Sequence, residues 1–330
     1  MTDLKKIGLS ALAGSLVAFS ASAGELTVTG GAKMTYTANT GNEDSVNDGS
    51  RIGMQQAIAF SGSGELDNGH TVSLMHALST AGGAKSTSTL TYDMGDMGSL
   101  TYQQDSGDLG IGKIDDVRPT ADEEVWNGID AGQTTDNEAP VGRVDGGMNG
   151  FNYNYSMDMV TINAGYGTKG TTGSVDDGST SGAGAVNSAT SVAVQVAPMD
   201  GLNVYVGTGS KGNSNGTQDD DHSTMAVTYA YGPVTAGYQV SDIEPAGATN
   251  DLETTAYGIA FAVNENLSVS YGESETTKEG STTDQELSGY SVGYSMGGIT
   301  IKAHSNEGTN IANTTANESE HTEIAVSFAF

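Results

Sequence analysis

The sequence predicts an all-β fold, a transmembrane antiparallel β-barrel of about 16 strands. Three observations carry that prediction. Segments of alternating apolar and polar residues recur along the chain; short turns and long acidic loops separate them in strict alternation; and no apolar run beyond residue 23 approaches the ~20 residues that a membrane helix needs. The last segment shows the pattern most plainly. Ile324, Val326, Phe328 and Phe330 fall on one face, with Glu323, Ala325, Ser327 and Ala329 on the other, as a half-buried strand requires.

Composition sets the bounds. Lys5 and Lys6, the apolar residues 7–19 and Ala21-Ser22-Ala23 read as the n-region, h-region and A-x-A site of a secretory signal peptide. The expected division is 1–23 signal peptide and 24–330 one barrel domain. A formal net charge of -29, from 41 acidic and 12 basic residues, argues against nucleic acid, which wants a basic patch. With no cysteine there is no disulfide framework, so stability must come from strand pairing. The low hydrophobicity alone would also suit disorder, but disorder does not alternate.

Taken in order, the first strand carries Leu26, Val28, Ala32, Met34 and Tyr36 on one face, and a polar loop at 38–49 follows. Ile52, Met54, Ile58 and Phe60 form a second strand that turns at Asp67-Asn68-Gly69, a strong hairpin signal, into Val72, Leu74 and Leu78. Leu90, Tyr92 and Met94 lead through Gly-Asp-Met-Gly to Leu100 and Tyr102. After a long break at 106–142, five hairpins follow. Tyr153 and Tyr155 meet Val160 and Ile162; Val192 and Val194 meet Leu202 and Val204; Val227 and Tyr229 meet Val234 and Ala236. Ile259 and Phe261 meet Leu267 and Val269; Val292 and Tyr294 meet Ile299 and Ile301, and a loop at 307–319 leads into the last strand.

In hydrocarbon every backbone N–H and C=O must pair within the protein, so such a sheet has to close and the last strand must pair with the first. An even strand number puts both termini at the short-turn end. There Tyr92, Tyr155, Tyr231 and Tyr294 would form an aromatic girdle. A barrel of about 16 strands is too wide for its side chains to fill and encloses water.

The break at 106–142 is too long for a simple connection and is expected to be functional. It carries Asp108, Asp115, Asp116, Asp122, Glu123, Glu124, Asp130, Asp136 and Glu138 against only Lys113 and Arg118. Lys33, Arg51 and Lys302 share the inward parity of their strands. Acids on the loop opposed to bases on the wall would set a transverse field across a constriction, and the acidic excess predicts a cation preference.

Sharper motifs fail on context. Gly207-Thr-Gly-Ser-Lys-Gly212 has the letters G-x-G-x-x-G but no helix follows, so it reads as loop glycine. Glu43-Asp44, Asp176-Asp177 and Asp219-Asp220-Asp221 lack EF-hand spacing and read as solvated loop charge, with oxygen ligation of Ca2+ as the alternative. His70, His76, His222, His304 and His321 show no metal-ligand spacing, and no residue is assigned a catalytic role. His304 shares the lumen parity of Lys302, whereas His76 faces outward, where a subunit interface suits it better than lipid.

Signal peptide, strand rhythm, a long loop after the fifth strand and terminal Phe330 together make the mature chain resemble a Gram-negative general porin, most like the alphaproteobacterial ones. It lacks the Pro-Glu-Phe-Gly loop signature of enterobacterial porins. The resemblance implies that the loop at 106–142 folds into the barrel as an inward-folded constriction loop, and it implies a homotrimer in the outer membrane, among lipid and lipopolysaccharide, through which small hydrophilic solutes diffuse without covalent chemistry or cofactor. It also implies that Ile324, Val326, Phe328 and Phe330 are the assembly signal. A solute-specific channel, an outer-membrane adhesin or structural barrel, and a soluble secreted β-protein are the alternatives.

Overall fold

The computed structural model describes residues 26–41, 48–79, 84–106, 109–129, 148–167, 188–212, 219–245 and 251–329. Outside them lie the expected signal peptide, Phe330, and the acids Glu43, Asp44, Asp108, Asp130, Asp136, Glu138, Asp176 and Asp177.

Sixteen antiparallel strands form one closed barrel in which each strand pairs with its chain neighbours and the last pairs with the first. They are β1 (Thr27–Gly41), β2 (Gly49–Glu65), β3 (Thr71–Ser79), β4 (Ala84–Asp93), β5 (Ser99–Ser106) and β6 (Met148–Met157). Then come β7 (Val160–Gly167), β8 (Ala189–Met199), β9 (Leu202–Gly212), β10 (Asp219–Tyr231) and β11 (Val234–Glu244). The last are β12 (Leu252–Ala262), β13 (Leu267–Lys278), β14 (Gln285–Met296), β15 (Ile299–Thr309) and β16 (Glu318–Ala329). The seam is continuous, with Gly31 opposite Ala329 and Gly41 opposite Ser319. No ladder edge is left to meet hydrocarbon.

The faces are inverted relative to a soluble sheet. Along β10, Met225, Val227 and Tyr229 point outward and are exposed, while Thr224, Ala226 and Thr228 point inward and are buried. Polar side chains therefore line the interior and apolar ones meet the surroundings, which is favourable only where the surroundings are hydrocarbon. Tight turns close one end. Met157 pairs with Val160 across a two-residue turn in which Asp158 takes φ 48°, the left-handed conformation such turns demand.

Several strands outrun the reading made from alternation. β1 continues to Gly41 and β2 starts at Gly49, so part of the expected loop at 38–49 is strand. β15 runs to Thr309 and β16 starts at Glu318, which shortens the loop expected at 307–319. Asp219, Asp220 and Asp221 stand on β10 and Gly207 to Gly212 on β9, so neither is loop, contrary to expectation. The reason is common to all: alternation stops where the apolar band stops, whereas ladder hydrogen bonds continue into the polar rim.

Candidate functional site

Buried hydrophobic side chains gather where a segment of the long connection, residues 109–129, lies against the inner wall. The β5–β6 connection enters with two backbone donors satisfied by the wall. Gly110 N–H donates to Asn152 Oδ1 at 2.9 Å and Ile111 N–H to Ser191 Oγ at 3.1 Å. Ile111 and Ile114 then pack on Ala189 and Ala193 of β8, flanked by Val117 and Tyr205. Fully buried Gln239 on β11 donates to the Ile114 carbonyl at 3.1 Å.

Further along, the Ala121 N–H donates to Ser270 Oγ at 2.9 Å and the Asp122 N–H to Ser291 Oγ at 3.1 Å. Asn306 Nδ2 on β15 donates to the carbonyls of Glu124 and Asn127, both at 2.9 Å. Val125 and Ile129 close the segment against Leu287 and Ile311, with Trp126 beside them. The segment thus runs along the inner wall from β6 to β16, with backbone groups at Gly110, Ile111, Ile114, Ala121, Asp122, Glu124 and Asn127 satisfied by inward serines, asparagines and glutamine. An unpaired backbone group there would cost about 1–3 kcal/mol.

What lets it lie so close is glycine. Gly237 on β11 is opposite Gly258 on β12, Gly258 opposite Gly272 on β13, and Gly272 opposite Gly289 on β14. A Cβ on Gly237 would come within 2.6 Å of Pro119 Cδ, and one on Gly258 within 3.0 Å of the Pro119 carbonyl oxygen. On Gly165 it would meet the Leu109 carbonyl carbon at 2.8 Å, and on Gly207 the Ile114 Cδ1 at 2.8 Å. These glycines are a track cut into the wall. Sequence reasoning missed it, although a signal was present: Gly165-Tyr166, Gly237-Tyr238, Tyr257-Gly258, Tyr271-Gly272 and Gly289-Tyr290 each set a glycine on the inward parity beside an outward tyrosine.

A charged contact fixes the segment to the wall, and a buried arginine braces it from within. The Asp122 side chain is buried, its Oδ1 3.1 Å from Lys302 Nζ and its Oδ2 2.8 Å from His304 Nδ1. Burial alone would raise this carboxyl, but the bonds from His304 and Lys302 outweigh it and hold it below the usual carboxylate range. Within the segment, the Arg118 guanidinium lies 4.4 Å over the Trp126 ring. Its Nη2 is 2.9 Å from Glu124 Oε2, close but out of line for a hydrogen bond. Burial lowers Arg118 while Glu124 and Asp116 pull it up. Burial and then Asp116 push the Glu124 carboxyl up to about 9, with Arg118 opposing.

The residues expected at a constriction therefore divide. The Asp122, Glu124 and Arg118 side chains are buried in contacts that secure the segment, while Asp116, Glu123 and Lys113 are exposed and Asp115 is half-buried. On the wall, Lys33, Arg51 and Lys302 all take the inward parity: Lys33 pairs in register with Ser327, Arg51 with Thr37 and Lys302 with Ala325. Lys33 Nζ is 3.4 Å from Glu323 Oε1. Lys302 and Lys33 are thus joined to acids instead of facing them across a gap, Lys302 because the segment reaches the wall at β15 and Lys33 because Glu323 stands on the neighbouring strand β16.

The outward face holds the remaining groups. Ile324 and Phe328 are exposed there and Val326 is half-buried. His76 is also outward, opposite Phe60, with Nδ1 2.7 Å from Ser88 Oγ. Toward the long-loop end, outward carboxylates face one another across strands: Asp221 and Glu244, Asp242 and Glu253, Glu275 and Glu286, Glu307 and Glu320. Among the described residues no three His, Cys, Asp or Glu side chains form a metal-ligating group.

The family model described as Gram-negative porin matches residues 8–310. No curated protein matches the chain. Solved structures share its architecture. An anion-selective porin from Comamonas acidovorans superposes with a TM-score of 0.65 at 11% identity, covering 93% of this chain and 99% of that one. OmpT of Vibrio cholerae in its trimer form gives 0.65 at 13%, covering 94% and 100%. A variant of the Rh. blastica porin gives 0.64 at 16%, covering 93% and 100%. At these identities the likeness shows the fold.

Proposed function

This chain belongs to the Gram-negative porin family, and from that premise we propose that its barrel passes small hydrophilic solutes and ions by passive diffusion with a preference for cations. It is an outer-membrane porin; family and fold point to a channel rather than an enzyme. The observation that carries the finer reading is the seated segment 109–129. In this reading it narrows the barrel, and it leaves Asp116 and Glu123 exposed beside Lys113 while Lys33 and Lys302 are partnered by Glu323 and Asp122. Fixed negative charge beside the opening concentrates cations and repels anions. The anion-selective porin of Comamonas acidovorans has the same fold, so selectivity has to be read from wall charge and not from architecture.

Assembly as a homotrimer fits the outward His76 and Ser88 pair, polar groups that a neighbouring subunit would cover better than lipid. The opposed outward carboxylates on β10–β16 fit divalent cations, Ca2+ among them, held between the barrel rim and the phosphates of lipopolysaccharide, since like charges in register repel unless neutralised. Swelling of liposomes carrying the folded protein, in uncharged sugars of increasing size, tests the channel: entry falling smoothly with solute size is expected. Exclusion of the smallest sugars by a folded barrel, as for an adhesin or structural barrel, would end it; uptake saturating for one sugar would mark a solute-specific channel.

A further inference from the structure

Two buried histidines have no part in that reading. His304 on β15 and His321 on β16 stand side by side behind the seated segment, ring centroids 5.2 Å apart and planes tilted by 32°. Each uses Nδ1 on a neighbour: His304 faces Asp122 Oδ2 of the loop at 2.8 Å, and His321 faces Asn39 Oδ1 of β1 at 2.8 Å. In both rings Nε2 is buried without a hydrogen-bond partner. The backbone of Gly128 lies directly on the His321 ring, where a Cβ would overlap its atoms.

The charges facing the pair are few. Asp122 comes from the loop, Lys302 from β15, Glu323 from β16 in register with His304, and Lys33 from β1 on Glu323; β14 offers the neutral Ser291. With both rings neutral these four charges balance. A first proton has Asp122 beside it. A second would set two imidazolium rings 5.2 Å apart with every nearby carboxylate already engaged and no acceptor for its Nε2–H. Such a group is stabilised by admitting water, and the atoms in the way are those of the loop at Gly128.

We propose that His304 and His321 form a proton-operated latch on the constriction segment: acidification that adds the second proton at Nε2 releases residues 121–129 from β14–β16. The latch rests on the channel reading only for what it regulates, since the seating of the segment can be followed without any conductance. Asp122 remains ionised through the range in which histidines titrate, so release belongs to the histidine pair and not to the carboxylate.

Trp126 is the single tryptophan of the chain and lies in the segment, so its emission reports seating. The folded protein, titrated in detergent micelles from about pH 8 to about pH 4.5, should show one reversible step to longer wavelength. His321→Gln should abolish that step, while His222→Gln, at another buried histidine, should retain it. Flat emission in the unaltered chain, or the same step in H321Q, overturns the latch. If H321Q does not assemble, hydrogen exchange of the unaltered chain decides. Faster exchange in 121–129 at acid pH, after correction for intrinsic rates, supports the latch, and equal protection overturns it. A Trp126 step in a protein without conductance would sink the channel reading alone; conductance without a step would sink the latch alone.

Discussion

Adding a methyl group to Gly237 should narrow the channel without disturbing the barrel. Gly237 has no left-handed backbone angle, so alanine and valine fit β11 and only the space in front of it is contested. A Cβ there would lie 2.6 Å from Pro119 Cδ and 3.3 Å from Arg118 Cα. Carbon atoms settle at about 3.5 Å or more, so Pro119 must withdraw by roughly 1 Å. Overpacking on this scale costs about 1–3 kcal/mol, a shift of roughly 5- to 150-fold in the seated population at about 1.4 kcal/mol per tenfold. With the wall behind it, the segment can move only toward the opening. Single-channel conductance should therefore fall in Gly237→Ala and fall further in Gly237→Val, with heat-modifiable gel mobility unchanged. Gly62→Ala, where a Cβ would meet nothing closer than Leu26 Cδ1 at 3.9 Å, is the control. Equal conductance in all of these proteins would refute the claim that seating on the glycine track sets the aperture.

Asp122→Asn should loosen the segment by about 1.5–3 kcal/mol, the worth of hydrogen bonds to a charged group, seen as faster hydrogen exchange in 121–129. Because the folded carboxyl titrates below its ordinary range, its stabilisation is complete above about pH 3.9 and disappears as pH falls through the lower folded value. Exchange that is unchanged in D122N at neutral pH would remove the Asp122 anchor. Neutralising Asp116→Asn and Glu123→Gln together should move the reversal potential in a salt gradient toward zero; an unmoved potential would clear the loop of responsibility for selectivity. Ile259→Lys, on the outward face of β12, should destabilise the barrel in lipid by roughly 2–4 kcal/mol, lowering the urea midpoint for unfolding. Chelation of divalent cations should weaken retention of lipopolysaccharide by the purified protein, and equal retention would count against bridging at the rim.

The outward and inward faces were legible because alternation is local: Ile324 and Phe328 reveal the outer face of β16 without knowledge of any partner, and Lys33, Arg51 and Lys302 reveal the inner one. Loop length singled out the connection whose residues 109–129 lie against the inner wall, since length too is read without knowledge of any partner. How that segment sits was not legible, since Asp122 meets His304 at a separation of 182 residues and no local pattern announces the contact. Strand ends were hidden too. Asp219 to Asp221 look like loop because their side chains are acidic, yet their backbones complete β10 against Lys211 and Gly212. Gly207 was read as loop glycine from its letters, whereas its use is the absence of a side chain beneath Ile114.

The central claim, a water-filled barrel narrowed by an inward segment and lined with acid, is tested most directly by single-channel recording in a planar bilayer under a potassium chloride gradient. The account predicts discrete, ohmic conductance steps and a reversal potential of the sign set by potassium permeating faster than chloride. Folded, inserted barrels that give no steps, or a reversal potential of the opposite sign, would contradict it.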